Sequence, residues 1–100
     1  MALANQAVFP PNRHALYEAH GYSPAIRSGD LLFVSGQVGS LEDGSPEPDF
    51  KKQVERAFDN LKAVLKAADC SFDDIIDVTS FHTDPENQFD DIMAVKGAVF

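Results

Sequence analysis

Only one cysteine, Cys70, occurs in the 100 residues. No intrachain disulfide can form, which excludes a stapled secreted scaffold. Long apolar runs are also missing. No window approaches the length of a bilayer span. The opening "MALANQAVFPPNRH" has neither the basic start nor the unbroken apolar stretch of a signal peptide. A cytoplasmic protein with no membrane partner is the expectation. Basic residues are scarce, eight against sixteen acidic ones, for a formal net charge of −8. That field repels a phosphate backbone, and the only dense basic pair is Lys51-Lys52, so nucleic acid is not an expected partner. Histidines at metal-ligand spacing are lacking as well. His14 and His20 are six apart, which on a helix puts them on different faces, and His82 stands alone. No metal and no cofactor is implied.

Hydrophobic residues make up 44% and charged residues 24% of the chain, the balance of an ordinary globular domain. The length allows one domain with a modest core. Met1 to Tyr22 carries Pro10-Pro11 and no sustained period, which predicts an extended arm with one irregular turn near "HALYEA". In "SPAIRSGDLLFVSGQVG" two apolar runs flank Ser28-Gly29-Asp30 and predict an antiparallel hairpin. "GSLEDGSPEP", from Gly39 to Pro48, is rich in breakers and reads as a surface loop. Phe50, Val54, Ala57, Phe58, Leu61, Val64, Leu65 and Ala68 then fall on one stripe of a helix over Phe50 to Ala68, with Asp49 placed to cap it. "IIDVTSFHTD" is rich in β-branched and aromatic residues and predicts a third strand. Asp84-Pro85 opens a second helix with Phe89, Ile92, Met93 and Lys96 as its stripe. The helical pattern is still apolar at "GAVF", so the domain is expected to continue into further chain.

Residues alternate along a strand. Leu31, Phe33, Ser35 and Gln37 therefore share one face, and Leu32, Val34, Gly36 and Val38 the other. A strand that starts greasy and ends in a hydroxyl, a glycine and an amide suits a small polar ligand, because buried polar groups need partners. The alternative is a strand that simply emerges into solvent. "FVSGQ" lacks the elbow that exposes a nucleophilic serine, so Ser35 reads as a hydrogen-bonding or positioning group and not as a triad member. Cys70 lies beside the acidic "SFDD", an environment unfavourable to a reactive thiolate. Asp73, Asp74, Asp77, Asp90 and Asp91 fall at connections and helix faces, where carboxylates are usually solvated.

Taken together, "YSPAIRSGDLLFVSGQVG", "DFKKQVERAFDNLKAVLKAADCSFDDIIDVTSFHTD" and "FDDIMAVKGAVF" resemble the RidA, or YjgF-like, family of enamine/imine deaminases over about Tyr22 to Phe100, most closely its YjgH-like branch. The resemblance implies an α+β, chorismate-mutase-like fold: a mixed sheet backed by two helices, lacking here its C-terminal strands. It also implies a homotrimer with ligand clefts between subunits. The implied reaction is hydrolysis of small 2-imino acids to 2-oxo acids and ammonia. Tyr22 and Ser35 would carry catalytic roles, and Gly36, Gln37 and Met93 would bind the ligand, a small carboxylate or imine. The alternative is a trimer of the same fold that binds a small metabolite without catalysis. Met93 stands where deaminating members often carry an asparagine. The family's substrate-clamping arginine and its glutamate near the attacking water lie in strands beyond residue 100, and the YjgH-like branch generally departs from the arginine motif.

Overall fold

The computed structural model describes residues 5–11 and 15–100. His14 therefore lies outside the described residues. Three short strands form an antiparallel sheet in the order β1-β2-β3, with β1 at Gln6–Val8, β2 at Ala25–Ser28 and β3 at Leu31–Val34. Between the first two strands lies a short helix, α1, Ala15–Ala19. Two long helices follow, α2 over Phe50–Ala67 and α3 over Pro85–Val99.

The hairpin forms where the turn chemistry placed it. Ser28 pairs with Leu31 across a two-residue loop whose first member, Gly29, has φ +60. That left-handed conformation is free of steric cost for glycine and matches the twist of the flanking strands. The amino-terminal segment differs from the expected arm. Gln6–Val8 pairs with β2 in register Gln6↔Arg27 to Val8↔Ala25. Three residues are too few to show a period, so the strand is set by the partner edge and not by its own sequence pattern.

Helix α2 starts as the sequence predicts. The Asp49 carboxylate accepts the Lys52 backbone N–H at 3.0 Å, satisfying one of the donors left open in the first turn. Val54, Val64 and Leu65 form its buried stripe. It ends in a Schellman arrangement: Cys70 N–H donates to the Leu65 carbonyl at 2.8 Å and Asp69 N–H to that of Lys66 at 3.0 Å, with Asp69 at φ 61. Helix α3 opens with Pro85 at its first turn, as expected. The Asp84 side chain makes no cap bond to the helix backbone and instead accepts the Asn87 side-chain amide at 2.8 Å. The face that α3 buries is Ile92 and Val95, whereas Phe89 and Met93 are more than 45% exposed, at 57% and 48%. The expected stripe is thus rotated toward Val95.

The loop from Gly39 to Pro48 is more ordered than a plain surface loop. Ser40 bridges Pro46, Glu47 N–H donates to the Gly39 carbonyl, and Asn60 on α2 donates its amide to the Val38 carbonyl at 2.9 Å. Gly39 lies so close to α2 that a Cβ there would overlap the Gln53 carbonyl oxygen.

No described strand forms in the segment predicted as the third strand. After a short 3-10 turn at Phe72–Asp74, held by a Ser71/Asp74 capping box, residues 75–82 pair with nothing among the described residues. Ile76 is 90% exposed and Phe81 93%. The segment's direction is nevertheless fixed by α2. Phe72 stacks edge-on to Phe58, and His82 packs edge-on to Phe50. It therefore runs back from the middle of α2 toward its start. β3 and its extension run the same way: Arg27, opposite Leu32, donates to the Ala68 carbonyl at the end of α2, while Val38 meets Asn60 and Gly39 meets Gln53. Two parallel segments joined by a helix make a β-α-β crossover, here with its second arm unpaired. The fold is α+β, as expected, and its described ladder is antiparallel throughout.

Candidate functional site

The polar end of β3 is the place to look for chemistry, since the strand leaves its ladder there. Ser35 N–H still donates to the Pro24 carbonyl at 2.9 Å, one step beyond the last pair, Ala25↔Val34. Its hydroxyl donates to the Ser23 carbonyl at 2.7 Å. That proton is committed to the backbone, which fits a positioning role better than a nucleophilic one. His82 contacts Ser80, with Nε2 and Oγ 3.0 Å apart.

Gln37 turns back on the same strand. Its Nε2 donates to the Ser35 carbonyl at 3.0 Å, and its Oε1 accepts the Tyr17 hydroxyl at 3.0 Å. Tyr17, on α1, was not singled out by sequence reasoning. It is 6% exposed, the one buried side chain of its helix. Its ring stands edge-on to Tyr22, with centroids 5.3 Å apart at 88°, and edge-on to Phe9 at 6.3 Å. Such T-shaped pairs put the positive edge of one ring on the negative face of the other. Burial raises the Tyr17 pKa, and the neighbouring Tyr22 adds to that, against an opposing effect of the Gln37 hydrogen bond. The hydroxyl is therefore a protonated donor at neutral pH. A tyrosine beside two other ring-bearing positions, Phe9 and Tyr22, was the available signal, but nothing in "HALYEA" fixes which face of so short a helix turns inward.

Tyr22, Gly36 and Gln37 line a hollow together with Leu16, Tyr17, Val38 and Asn60. Its volume is about 10 Å³, room for a single water. Gly36 is exposed, and a Cβ there would meet nothing within 4 Å. Among the described residues no charged side chain lines the hollow. Met93 is apart from this cluster, half-exposed on α3 and absent from its walls. A larger groove of about 390 Å³ runs between α2 and α3, with Phe58, Val95 and Val99 below and Lys51, Glu55 and Asp59 at its rim, and it includes none of the expected site residues. Cys70, with acidic neighbours in sequence, has the Arg27 guanidinium 4.0 Å from its sulfur. Among the described residues, no three of His, Cys, Asp and Glu come together as metal ligands.

Comparison with known proteins bears on what this hollow belongs to. A profile of the family described as Endoribonuclease L-PSP matches residues 12–100. The chain belongs to that family, the YjgF/RidA-like proteins. It is 76% identical over 94 residues to the RutC family protein YjgH of Escherichia coli, covering 94% of this chain and 72% of that one. A RutC family protein of Pyrococcus horikoshii is 38% identical over 69 residues, covering 63% of this chain and 52% of the relative. The solved structure of a YjgH protein superposes with a TM-score of 0.95 at 72% identity, over 98% of this chain and 75% of that chain. The crystal structure of RidA from an Antarctic Psychrobacter species gives 0.65 at 28% identity, over 79% and 64%. The YjgF/RidA-like fold is thus shared over almost all of the present chain, which spans about half the length of the Pyrococcus relative and three quarters of the YjgH structure.

Proposed function

We propose that the polar end of β3 forms one wall of a small-molecule site, completed by neighbouring copies in a homotrimer, and that its reaction is the hydrolysis of small 2-imino acids. The observation that carries this reading is the convergence of Tyr22, Gly36 and Gln37 on one hollow, with Ser35 anchored to Ser23 beside them. A hollow for one water cannot enclose a carboxylate substrate, and on this reading a neighbouring copy supplies remaining walls. In the reaction, water oxygen adds to the imine carbon, the carbon–nitrogen bond breaks, and nitrogen leaves as ammonia with the protons released by water, giving a 2-oxo acid. No covalent intermediate is needed. Tyr22, Ser35, Gly36 and Gln37 serve by orienting substrate and water, which proximity and preorganised dipoles can turn into rate. The setting is cytoplasmic. Among the described residues no helix is long and apolar enough to cross a membrane.

The test is ammonia release from 2-aminoacrylate generated in situ. The protein is expected to accelerate release over buffer, with Tyr22→Phe reducing it about tenfold, on the order of one lost hydrogen bond to a reacting group. Equal rates with and without protein would contradict deamination.

One observation favours a second reading, a trimer that binds a metabolite without turning it over. Among the described residues no cation lines the hollow, and Met93, apart from it on α3, cannot donate a hydrogen bond to a carboxylate. On that reading calorimetry detects a 2-oxo acid or aromatic acid while ammonia release stays at the buffer rate.

A further inference from the structure

The hydrogen bonds around Gln37 allow its amide only one orientation. The Ser35 carbonyl oxygen can only accept, so the nitrogen end must face it, at 3.0 Å. Oε1 then faces Tyr17, whose hydroxyl must be the donor, also at 3.0 Å. One Nε2 hydrogen is left over, with no acceptor among the described residues. Gln37 lines the hollow, so that hydrogen belongs to a side chain at the candidate site. Tyr17 is itself firmly placed: it is buried, packs edge-on to Phe9 and Tyr22, and accepts the Tyr22 backbone N–H on its carbonyl at 3.1 Å.

We propose that Tyr17 is a positioning residue of this site: its hydroxyl locks the Gln37 amide so that one Nε2 hydrogen is offered to an oxygen acceptor of the ligand, a carboxylate or a carbonyl. The proposal rests on the reading of the hollow as part of a ligand site. A donor chain from tyrosine to amide carbonyl polarises the amide and strengthens its remaining N–H as a donor. Removal of the hydroxyl leaves Oε1 without its donor, so that only the Nε2 bond to the Ser35 carbonyl still holds the amide, while phenylalanine keeps the ring packing against Phe9 and Tyr22.

The experiment compares the wild-type protein with Tyr17→Phe, Tyr17→Leu and Gln37→Met, using pyruvate as the probe. In nitrogen-15 spectra without ligand, the two Gln37 amide protons are expected to be distinct and sharp in the wild type. In Tyr17→Phe they shift and move toward each other. Pyruvate affinity is expected to fall about three- to tenfold in Tyr17→Phe, the range of one hydrogen bond, and by a similar factor in Gln37→Met, which leaves Tyr17 in place. Unmoved amide signals in Tyr17→Phe, or a loss of affinity in Tyr17→Leu alone, would mark Tyr17 as packing only and overturn its role with the site reading intact. If the wild type does not bind pyruvate, the ligand half of the proposal falls together with the site reading. The amide signals then still decide whether Tyr17 holds Gln37.

Discussion

Gly39 shows how closely a single atom can be specified. A methyl group there would overlap backbone, the Gln53 carbonyl oxygen, and backbone inside a helix cannot swing aside as a side chain can. Gly39→Ala must therefore push the loop off α2 and loosen the Asn60 bond to Val38. A loss of about 1–3 kcal/mol is expected, the usual cost of overpacking, and urea unfolding checks it. An unchanged midpoint would mean that the loop and helix are not in this contact. From the sequence, Gly39 reads only as one breaker in a loop, because the reason for it lies fourteen residues away on α2. Ser35, Gly36 and Gln37 stand out in the sequence because the polar end of β3 breaks an apolar pattern, whereas Tyr22 is named only by the family resemblance. Tyr17 does not stand out, since its importance comes from what it touches and not from where it stands in a pattern.

Among the elements, α2 was the easiest to read. Its stripe, its start at Phe50 and its Asp49 cap are all local, and local physics decides them. Its end carries a strained residue that composition does not announce. Asp69 sits at φ 61, the position that closes a Schellman motif and that glycine fills without steric cost. Asp69→Gly is expected to stabilise the protein by about 0.5–1 kcal/mol, less than the full left-handed penalty because glycine also loosens the unfolded chain. A raised thermal midpoint would confirm this, and a lowered one would show that the Asp69 side chain does more than tolerate its backbone. Strands were harder to read than helices. β1 has three residues and pairs because β2 offers an edge. Residues 75–82 have the composition of a strand and no strand partner among the described residues, and β-propensity describes fit to a sheet more than any preference of the isolated backbone.

At the scale of the whole molecule, the surface is out of keeping with a solitary domain. Phe33 is 61% exposed, and Leu31, Ile76, Phe81 and Phe100 all show more than half of their surface. Leu31 and Phe33 share a face of β3, so the strand that begins as if buried on both sides leaves that face open, while Leu32 and Val34 on the other are half-buried. Exposed apolar surface and an open strand edge favour association, and under the proposed function the one-water hollow beside Tyr22 takes further walls from a neighbour. Both observations support the same assembly, copies of the chain packed so that the polar end of β3 faces a neighbour. The most direct measurement is the mass in solution by light scattering across a range of protein concentrations. Three chain masses, holding on dilution, is the predicted result. A single chain mass at every concentration would contradict a site built between copies and with it the proposed chemistry.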